Sequence, residues 1–377
     1  MKKNRLLYVD NIRLLVIISI VVHHLANTYS GFGYWYYTEP GQIEFIQTAV
    51  LGFYQAFVQG HTMGLLFLIA GYFIPVTYDK KGAGKFIKDK LFRLGIPTAI
   101  YMLIIHPLVN FILLGKRIGG ANLLNTLIEY ITSFHFINCS GPLWFAFALL
   151  IFSLLYAVFR IFAPAVKESN KDIPAFTKIL IFILLIGACS FLIRIVKPID
   201  SPPILNMRLA HFAQYISFFI VGIISRRNSW FEKLDYKTGK AWLLWGILLG
   251  IVSYAAIMIA GGAFFSFAPY NGGLTWQNAA YSLWESFILL SMSVGLIAVF
   301  REKCNKQNKL IKTMSENAFS VYVFHTPIII ILTLLFAPLD LIPLAKTILL
   351  SLISIPVCFL STNYTIQKVP LLRKIFR

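Results

Sequence analysis

The stretch RLLVIISIVVHHL, residues 13–25, has the apolar run of a membrane-spanning helix but carries ionisable side chains at both ends. Arg13 opens the stretch, and His23 and His24 stand near its end. A charged side chain at the centre of a bilayer costs roughly 3 kcal/mol or more. Lipid does not hold such groups at low cost, so ionisable residues inside a span are candidates for function.

The composition places the whole chain in a membrane. Its 377 residues are 58% hydrophobic and only 13% charged, with a mean hydropathy of +0.73, whereas a soluble domain carries roughly 25% charged residues. Apolar runs of about 18 residues or more recur along its length, as helices that cross a membrane require. We predict one all-α polytopic membrane domain over residues 1–377 with ten transmembrane helices, at about 12–29, 50–77, 97–114, 141–163, 178–196, 209–225, 241–262, 282–300, 318–337 and 343–363.

The net charge of +19 is explained by its distribution along the chain. Of the 34 lysines and arginines, 27 fall in the tails and loops on the side of the membrane that holds the N terminus, and five fall in the loops on the opposite side. This positive-inside asymmetry places both termini in the cytoplasm, with the chain a multi-pass protein of the cell (inner, cytoplasmic) membrane. Membrane lipids, and not nucleic acid, are then the expected partners of the basic loops. Segment 81–97, KGAGKFIKDKLFRLGIP, is typical of a basic amphipathic piece lying against the inner leaflet.

Common metal-binding and catalytic signatures do not occur in the sequence. The four cysteines stand alone without CxxC spacing, so neither a disulfide framework nor a zinc site is indicated. HExxH, GxSxG, a Walker sequence and a dinucleotide-binding GxGxxG are all missing. We expect no metal and no permanently bound cofactor.

Arg13 and His24 are eleven residues apart, which is three helical turns plus roughly 20°. Both side chains then share one face of the first span, about 16 Å apart along its axis, while His23 points about 100° away. A permanent cation at the cytoplasmic mouth and a titratable imidazole further out suit an anionic group that enters from the cytoplasm. Two structural alternatives stay open. Arg13 could be an interfacial residue paired with Asp10, and His24 could form a hydrogen bond that joins two helices.

Four other predicted spans bring an ionisable group toward the depth of His24. They are His61 in the second span, His211 at the outer start of the sixth, Glu285 at the outer start of the eighth and His325 in the ninth. A histidine with a nearby carboxylate is an arrangement for general-base catalysis. Each of the four is also compatible with a satisfied structural polar group. His106 and His135, in or near the loop between the third and fourth spans, are expected to be structural.

Short motifs spread over almost the whole chain carry a family resemblance. Arg13 and His24 form an arginine, ten residues and a histidine in the first span. The other stretches, in order, are YVDNIR (8–13), FLIAGYF (67–73), FRLGIP (92–97), PLWF (142–145), FFIVGII (218–224) and SVYVFHTPI (320–328). Together they resemble the membrane-bound acyltransferase-3 family, the ten-span O-acyltransferases of extracytoplasmic glycans and related molecules, and are most similar to its glucan-succinylating branch. Ala70 departs from the family, which usually has a serine at that position.

The resemblance implies an enzyme that moves an acetyl or succinyl group from cytoplasmic acyl-CoA, its donor substrate, to a hydroxyl of an extracytoplasmic glycan or related acceptor. Arg13 would hold an anionic part of the donor, and Arg93 with the basic loop 80–96 would attract the CoA phosphates. His24 would be the general base or a transient acyl carrier, with Glu285 orienting its imidazole. The expected substrate-binding residues are His61, Arg93, Trp144, His211, Tyr322 and His325.

A different class of protein, an exporter or flippase of a glycan or lipid-linked sugar, is also compatible with ten spans and a polar interior. We see no internal repeat of the kind that many transporters carry, and a conduit has no need of an aligned arginine and histidine. A membrane scaffold would not account for the intramembrane histidines. Trp144 is also typical of an interfacial anchor, and Arg93 of an ordinary inner-face charge. The sequence favours the enzyme.

Overall fold

A computed structural model describes residues 6–39, 41, 43–163 and 169–376. Ten helices in this part are long and apolar enough to cross a membrane, as predicted. They are α1 Leu7–Ser30, α2 Phe45–Lys81, α3 Ala83–Leu113, α4 Gly141–Phe162, α5 Phe176–Val196, α6 Leu209–Asn228, α7 Tyr236–Ala260, α8 Trp276–Lys303, α9 Lys309–Leu335 and α10 Pro343–Tyr364. These described residues contain no β-strand, which confirms the all-α class.

Some residues in the charge argument lie outside the described part of the chain. They are Lys2, Lys3, Arg5, Lys167 and Arg377. The other loop lysines and arginines lie within the described residues.

The two described ends of the chain lie at the same end of the helix bundle. At the start of α1, the Asn11 amide donates to the carbonyl oxygens of Cys304 at 2.6 Å and Lys306 at 3.1 Å, in the loop between α8 and α9. Near the C terminus, the Phe376 carbonyl oxygen accepts a hydrogen bond of 2.8 Å from Ser320 in the first half of α9. We name this end the N-terminal face and the opposite end of the bundle the far face.

Each predicted span overlaps one of the ten helices, and the largest differences are at the starts of α3 and α9, which begin at Ala83 and Lys309 rather than at the predicted 97 and 318. α2 is one continuous helix of 37 residues, longer than the predicted 50–77. The basic segment 81–97 does not lie apart from the spans: Lys81 ends α2, and residues 83–97 form the first turns of α3. At about 1.5 Å per residue, both helices exceed the hydrocarbon core of roughly 30 Å. The lysine-rich junction between them therefore extends past the core at the N-terminal face.

α2 and α6 pack backbone against backbone at two glycines. A Cβ atom added to Gly71 of α2 would collide with the Phe219 carbonyl oxygen, and one added to Gly222 of α6 would collide with the Leu68 carbonyl oxygen. Small residues let membrane helices approach closely. Because these glycines belong to the stretches FLIAGYF and FFIVGII, both motifs have a packing role in this fold.

The loop between α1 and α2 is tied down at the far face by a buried ion pair. The Lys346 ammonium of α10 donates to the Glu39 carboxylate at 2.5 Å, and the Glu39 backbone amide donates to the Thr28 carbonyl oxygen at 2.9 Å. Lys346 is only 4% exposed, and a buried charge of this kind needs a partner. The pair therefore fixes the loop, which carries Trp35, against the end of α1.

Candidate active site

A cavity of about 660 Å³ opens at the far face. Its walls are the last turns of α1, α3 and α7, the first turns of α2, α4, α6 and α8, and the loops that join them. Aromatic rings alternate with amide side chains on these walls, for example Trp35, Tyr254, Tyr281, Asn27, Gln55 and Asn206. Flat apolar surfaces with a few oriented hydrogen-bonding groups are typical of small-molecule sites. The predicted residues His24, Trp144 and His211 all line this cavity.

His24 reaches the cavity from α1 and is held by two aromatic neighbours. Its ring stacks on the Trp35 indole, with centroids 3.9 Å apart and planes 12° from parallel. The His325 ring lies beside it at 5.2 Å, with planes 15° apart. His24 Nδ1 is buried and has no hydrogen-bond partner within the described residues. The ring as a whole is half-buried and lines the cavity, and an imidazole fixed at a cavity wall can accept a proton from a bound hydroxyl through a ring nitrogen that faces the cavity.

His325 of α9 is fully buried beside His24 and has a defined tautomer. Its Nδ1 lies 2.8 Å from the Tyr322 carbonyl oxygen and 3.2 Å from that of Val321. Carbonyl oxygens only accept, so Nδ1 carries the proton and the neutral ring keeps a lone pair on Nε2. Tyr322 stacks at 6.3 Å from His325 and donates its hydroxyl to the Pro142 carbonyl oxygen. The predicted residues His325 and Tyr322 thus form the support behind His24.

A hydrogen-bond network holds Tyr36, the neighbour of Trp35. The Tyr36 hydroxyl is 3.0 Å from the Tyr101 hydroxyl and 2.9 Å from His106 Nδ1, and the Asn110 amide donates to His106 Nε2 at 2.8 Å. His106 therefore carries its proton on Nδ1 and donates to Tyr36, which gives it the structural contacts expected from the sequence. Burial, with the nearby Tyr101 second, raises the pKa of Tyr36 well above its ordinary value. Tyr36 stays protonated and can donate at neutral pH.

Glu285 lies in a buried ion pair. Its carboxylate accepts from the guanidinium of Arg194 in the last turn of α5, and both side chains are fully buried. Arg194 also donates to the Ser282 hydroxyl at 3.0 Å and to His211 Nδ1 at 3.1 Å. The structure thus brings Glu285 to Arg194 and His211 rather than to His24. The expectation that Glu285 orients His24 has no support in this geometry, because the carboxylate is engaged by the guanidinium.

Trp144 and His61, two further predicted residues, have different surroundings. Trp144 of α4 lines the cavity, with its ring 5.5 Å from that of Tyr215. His61 of α2 instead donates from Nδ1 to the Phe57 carbonyl oxygen at 2.6 Å within its own helix. Among the described residues, the cavity wall does not include His61. The structural alternative therefore describes His61 better.

Arg93 belongs to a group of cations at the N-terminal face. Arg93 and Lys81 lie 3.2 Å and 2.8 Å from the Asp89 carboxylate. Lys90 is within electrostatic range of Arg13, Lys81 and Arg93. We name these residues, Arg13, Lys81, Lys90 and Arg93 with Asp89 among them, the basic cluster.

Arg13 connects the basic cluster to the helix that carries His24. Its guanidinium is 3.6 Å from the Asp10 carboxylate, the pairing that the sequence suggested, and 5.4 Å from the Phe73 ring centroid. The side chain is 42% exposed. Both ends of the predicted arginine–histidine pair therefore lie on α1, one at each face of the bundle.

Trp35 and Arg194 were missed as site residues by sequence reasoning. Trp35 stands in GFGYWYY, residues 31–37, where the density of aromatic residues beside a histidine-bearing span was the available signal. Arg194 lies inside the predicted span 178–196. Its signal was its place in the apolar run SFLIRIV, residues 190–196, since an arginine at membrane depth needs a partner.

Metal ligands and thiols give no further grouping. In the part of the chain that the structure describes, no set of three or more histidine, cysteine, aspartate and glutamate side chains is placed to hold a metal ion. The four cysteines are free thiols.

A polytopic helical bundle with a histidine-lined cavity at one face and a cationic cluster at the other defines a membrane protein with a candidate enzyme site. Comparison with known families gives its class. The acyltransferase-3 family, described as an acyltransferase domain, matches residues 6–363. The chain belongs to this family, and it is an acyltransferase of the membrane O-acyltransferase type. Comparisons with curated proteins and with solved structures give no match. Family membership sets the exporter and scaffold alternatives aside.

Proposed function

We propose that the protein moves an acetyl or succinyl group from cytoplasmic acyl-CoA to a hydroxyl of an extracytoplasmic glycan or related acceptor, with His24 at the reacting centre. The observation that carries the proposal is the position of His24: its ring lines the cavity of the far face, stacks on the Trp35 indole and has the His325 ring beside it. The same helix carries Arg13 at the N-terminal face.

The basic cluster supports a donor that approaches from the N-terminal face. Coenzyme A carries phosphates, and lysine and arginine side chains form charge-assisted hydrogen bonds with phosphate oxygens. Arg13 and Arg93 lie in this cluster, and the positive-inside asymmetry supports a cytoplasmic position for that face. The eleven residues from Arg13 to His24 span about 16 Å of helix, a reach that an extended pantetheine arm matches.

The cavity of the far face supports a polar acceptor. Trp144 and Tyr254 offer flat faces on which a sugar ring can stack, and Asn27 and Gln55 offer amide donors and acceptors for hydroxyl groups. Its volume of about 660 Å³ lies within the range of roughly 300–1,000 Å³ that small-molecule sites occupy. One or a few sugar units of a longer glycan would fill it.

In the proposed reaction, His24 takes the proton of the acceptor hydroxyl as that oxygen attacks the thioester carbonyl carbon. The new ester C–O bond forms, the C–S bond breaks, and the proton passes from His24 to the leaving thiolate, which departs as free CoA. General-base catalysis of this kind contributes about 10²- to 10⁴-fold. The stacked Trp35 and the neighbouring His325 hold the imidazole in place for this transfer.

The test is release of free CoA thiol by purified protein supplied with acetyl-CoA or succinyl-CoA, with and without a glucan oligosaccharide. We expect release that depends on the acceptor, and a product ester on the oligosaccharide. His24→Ala should lower turnover by at least about 100-fold. Arg13→Ala should raise the donor KM by about tenfold, since it removes a charge-assisted contact with an anionic group.

Three results bear on the details. A higher kcat/KM for succinyl-CoA than for acetyl-CoA would support the glucan-succinylating branch. A burst of thiol without acceptor, with the acyl group recovered on His24, would make His24 a transient acyl carrier instead of a base. Equal turnover in the wild type and His24→Ala would reject the proposed centre.

A further inference from the structure

We infer that His211 binds the acceptor by donating a hydrogen bond from Nε2–H to an acceptor oxygen, and that the buried Arg194–Glu285 pair positions it by setting this tautomer. The inference rests on the proposed function, because it assigns a role at the same cavity. It names the chemistry of the bound group: an oxygen that accepts a hydrogen bond, as a sugar hydroxyl or ring oxygen does.

Arg194 is held in one orientation by donors used on several sides. Its Nε donates to the Ala210 carbonyl oxygen at 3.2 Å, and one terminal nitrogen donates to the Ser282 hydroxyl at 3.0 Å. The other terminal nitrogen faces both the Glu285 carboxylate and His211 Nδ1, the latter at 3.1 Å. Because the guanidinium donates to several acceptors, it cannot rotate without losing these hydrogen bonds.

The contact with Arg194 settles where the His211 proton is. A guanidinium has donors and no acceptor, so Nδ1 of His211 must accept and carries no proton. The neutral ring then has its single proton on Nε2. A doubly protonated ring would set an N–H against the N–H of Arg194. The Glu285 carboxylate, 3.7 Å from Nδ1, is too far to take a hydrogen bond from that nitrogen.

The proton-bearing nitrogen lies on the edge of the ring that faces away from Arg194. His211 is 4% exposed, and its small remaining surface lines the cavity. Its ring lies 6.1 Å from that of Tyr215, another lining residue, whose hydroxyl accepts from the Gln59 amide at 3.0 Å. Nε2–H therefore adds a donor to a wall that already holds oriented polar groups.

Two histidines of opposite tautomer then serve this site. His325, beside His24, keeps its Nε2 lone pair because Nδ1 donates to the Tyr322 carbonyl oxygen, whereas His211 presents an N–H. A buried arginine–glutamate pair is costly within a membrane and often gives little net stability. The presence of this pair next to a cavity-lining imidazole is accounted for if the pair fixes the direction of a hydrogen bond to the acceptor.

The first test compares His211→Gln with His211→Leu in the full-length protein. A glutamine amide nitrogen can occupy the place of Nε2 and donate, whereas leucine fills space without a donor. We expect His211→Leu to raise the acceptor KM about tenfold with a smaller change in kcat and in the donor KM. His211→Gln should recover most of that loss. Equal acceptor KM values for the two variants would overturn the inference.

The second test separates positioning from stability. Arg194→Met alone leaves the Glu285 carboxylate buried without its cation and should destabilise the fold. The double variant Arg194→Met with Glu285→Met removes both charges, so its unfolding temperature should rise toward that of the wild type. Its acceptor KM should stay raised about tenfold, because nothing then sets the His211 tautomer. Recovery of the acceptor KM together with stability would overturn the positioning role.

The third test does not depend on acyl transfer. Nitrogen-15 NMR of histidine-labelled protein, with the His211 signals assigned by their loss in His211→Gln, reports which ring nitrogen is protonated. A protonated Nε2 and a bare Nδ1 support the inference, and the reverse tautomer or an imidazolium overturns it. If no donor is turned over but this tautomer is found, the proposed function fails while the Arg194 contact stands. If turnover is normal and the tautomer is reversed, only the inference fails.

Discussion

At the scale of single residues, the site depends on how His24 is held. The ring makes no hydrogen bond through Nδ1 within the described residues, and the closest support is the Trp35 indole at 3.9 Å. An aromatic pair of this kind contributes about 1 kcal/mol beyond its buried area. Stacking fixes the plane of the imidazole without a hydrogen bond to Nδ1, whereas Nδ1 of His61 is bonded to the Phe57 carbonyl oxygen.

His24 and its neighbour His23 provide a matched pair for mutation. Both rings line the cavity, and they meet edge to face with centroids 5.5 Å apart. Only His24 lies on the helix face of Arg13 and stacks on Trp35. We expect His24→Ala to lower kcat by at least about 100-fold. His23→Ala should lower kcat by less than about tenfold. Comparable losses in thiol-release assays of the two variants, at matched unfolding temperature, would contradict the assignment.

At the scale of helices, the contact between α2 and α6 depends on having no side chain at Gly71. We expect Gly71→Ala to lower the free energy of unfolding by about 2 kcal/mol, as overpacking does, because the new Cβ meets backbone that cannot move aside. Gly84→Ala is the matched control: its Cβ meets nothing within 4 Å, and alanine favours a helix. Unfolding temperatures in detergent check both. An unchanged value for Gly71→Ala would show that the helices are less close than described.

The loop that carries Trp35 depends on the ion pair between Lys346 and Glu39. Lys346→Met leaves the Glu39 carboxylate, 19% exposed, without its cation. We expect the free energy of unfolding to fall by about 3 kcal/mol. This is the lower end of the cost of breaking a buried ion pair, because Glu39 keeps some contact with solvent. Lys346→Met combined with Glu39→Gln should recover part of it. The unfolding temperatures of the two variants decide, and a double variant no more stable than the single one would contradict the pairing.

At the scale of the whole molecule, the all-helical class and the ten candidate spans could be predicted from hydropathy, since runs of apolar residues need only be counted. The ends of the helices could not be predicted in this way. The lysines of residues 81–97 lower the local hydropathy at the start of α3, whose first turns project past the apolar core. The helical period predicted that Arg13 and His24 lie on one face of the first span. The depth of His325 within its own span predicted that it lies near His24. Sequence could not pair Glu285 with Arg194, because that contact joins residues 91 positions apart on two helices.

The arrangement of the two faces leads to the central claim, that the acyl group crosses the membrane during transfer. The basic cluster with Arg13 lies at the N-terminal face and the cavity with His24 at the far face. In the proposed reaction, donor and acceptor are on opposite sides of the membrane, with the N-terminal face toward the cytoplasm, as the distribution of lysine and arginine predicts.

The measurement that tests this claim most directly uses proteoliposomes in which the protein has one orientation, verified by access of a protease to an N-terminal tag. Acyl-CoA is placed on one side and the oligosaccharide acceptor on the other or the same side, and acylated acceptor is quantified. We predict product only when the donor faces the N-terminal face and the acceptor faces the far face, and none with His24→Ala. Equal product with both substrates at the N-terminal face would contradict transfer across the membrane.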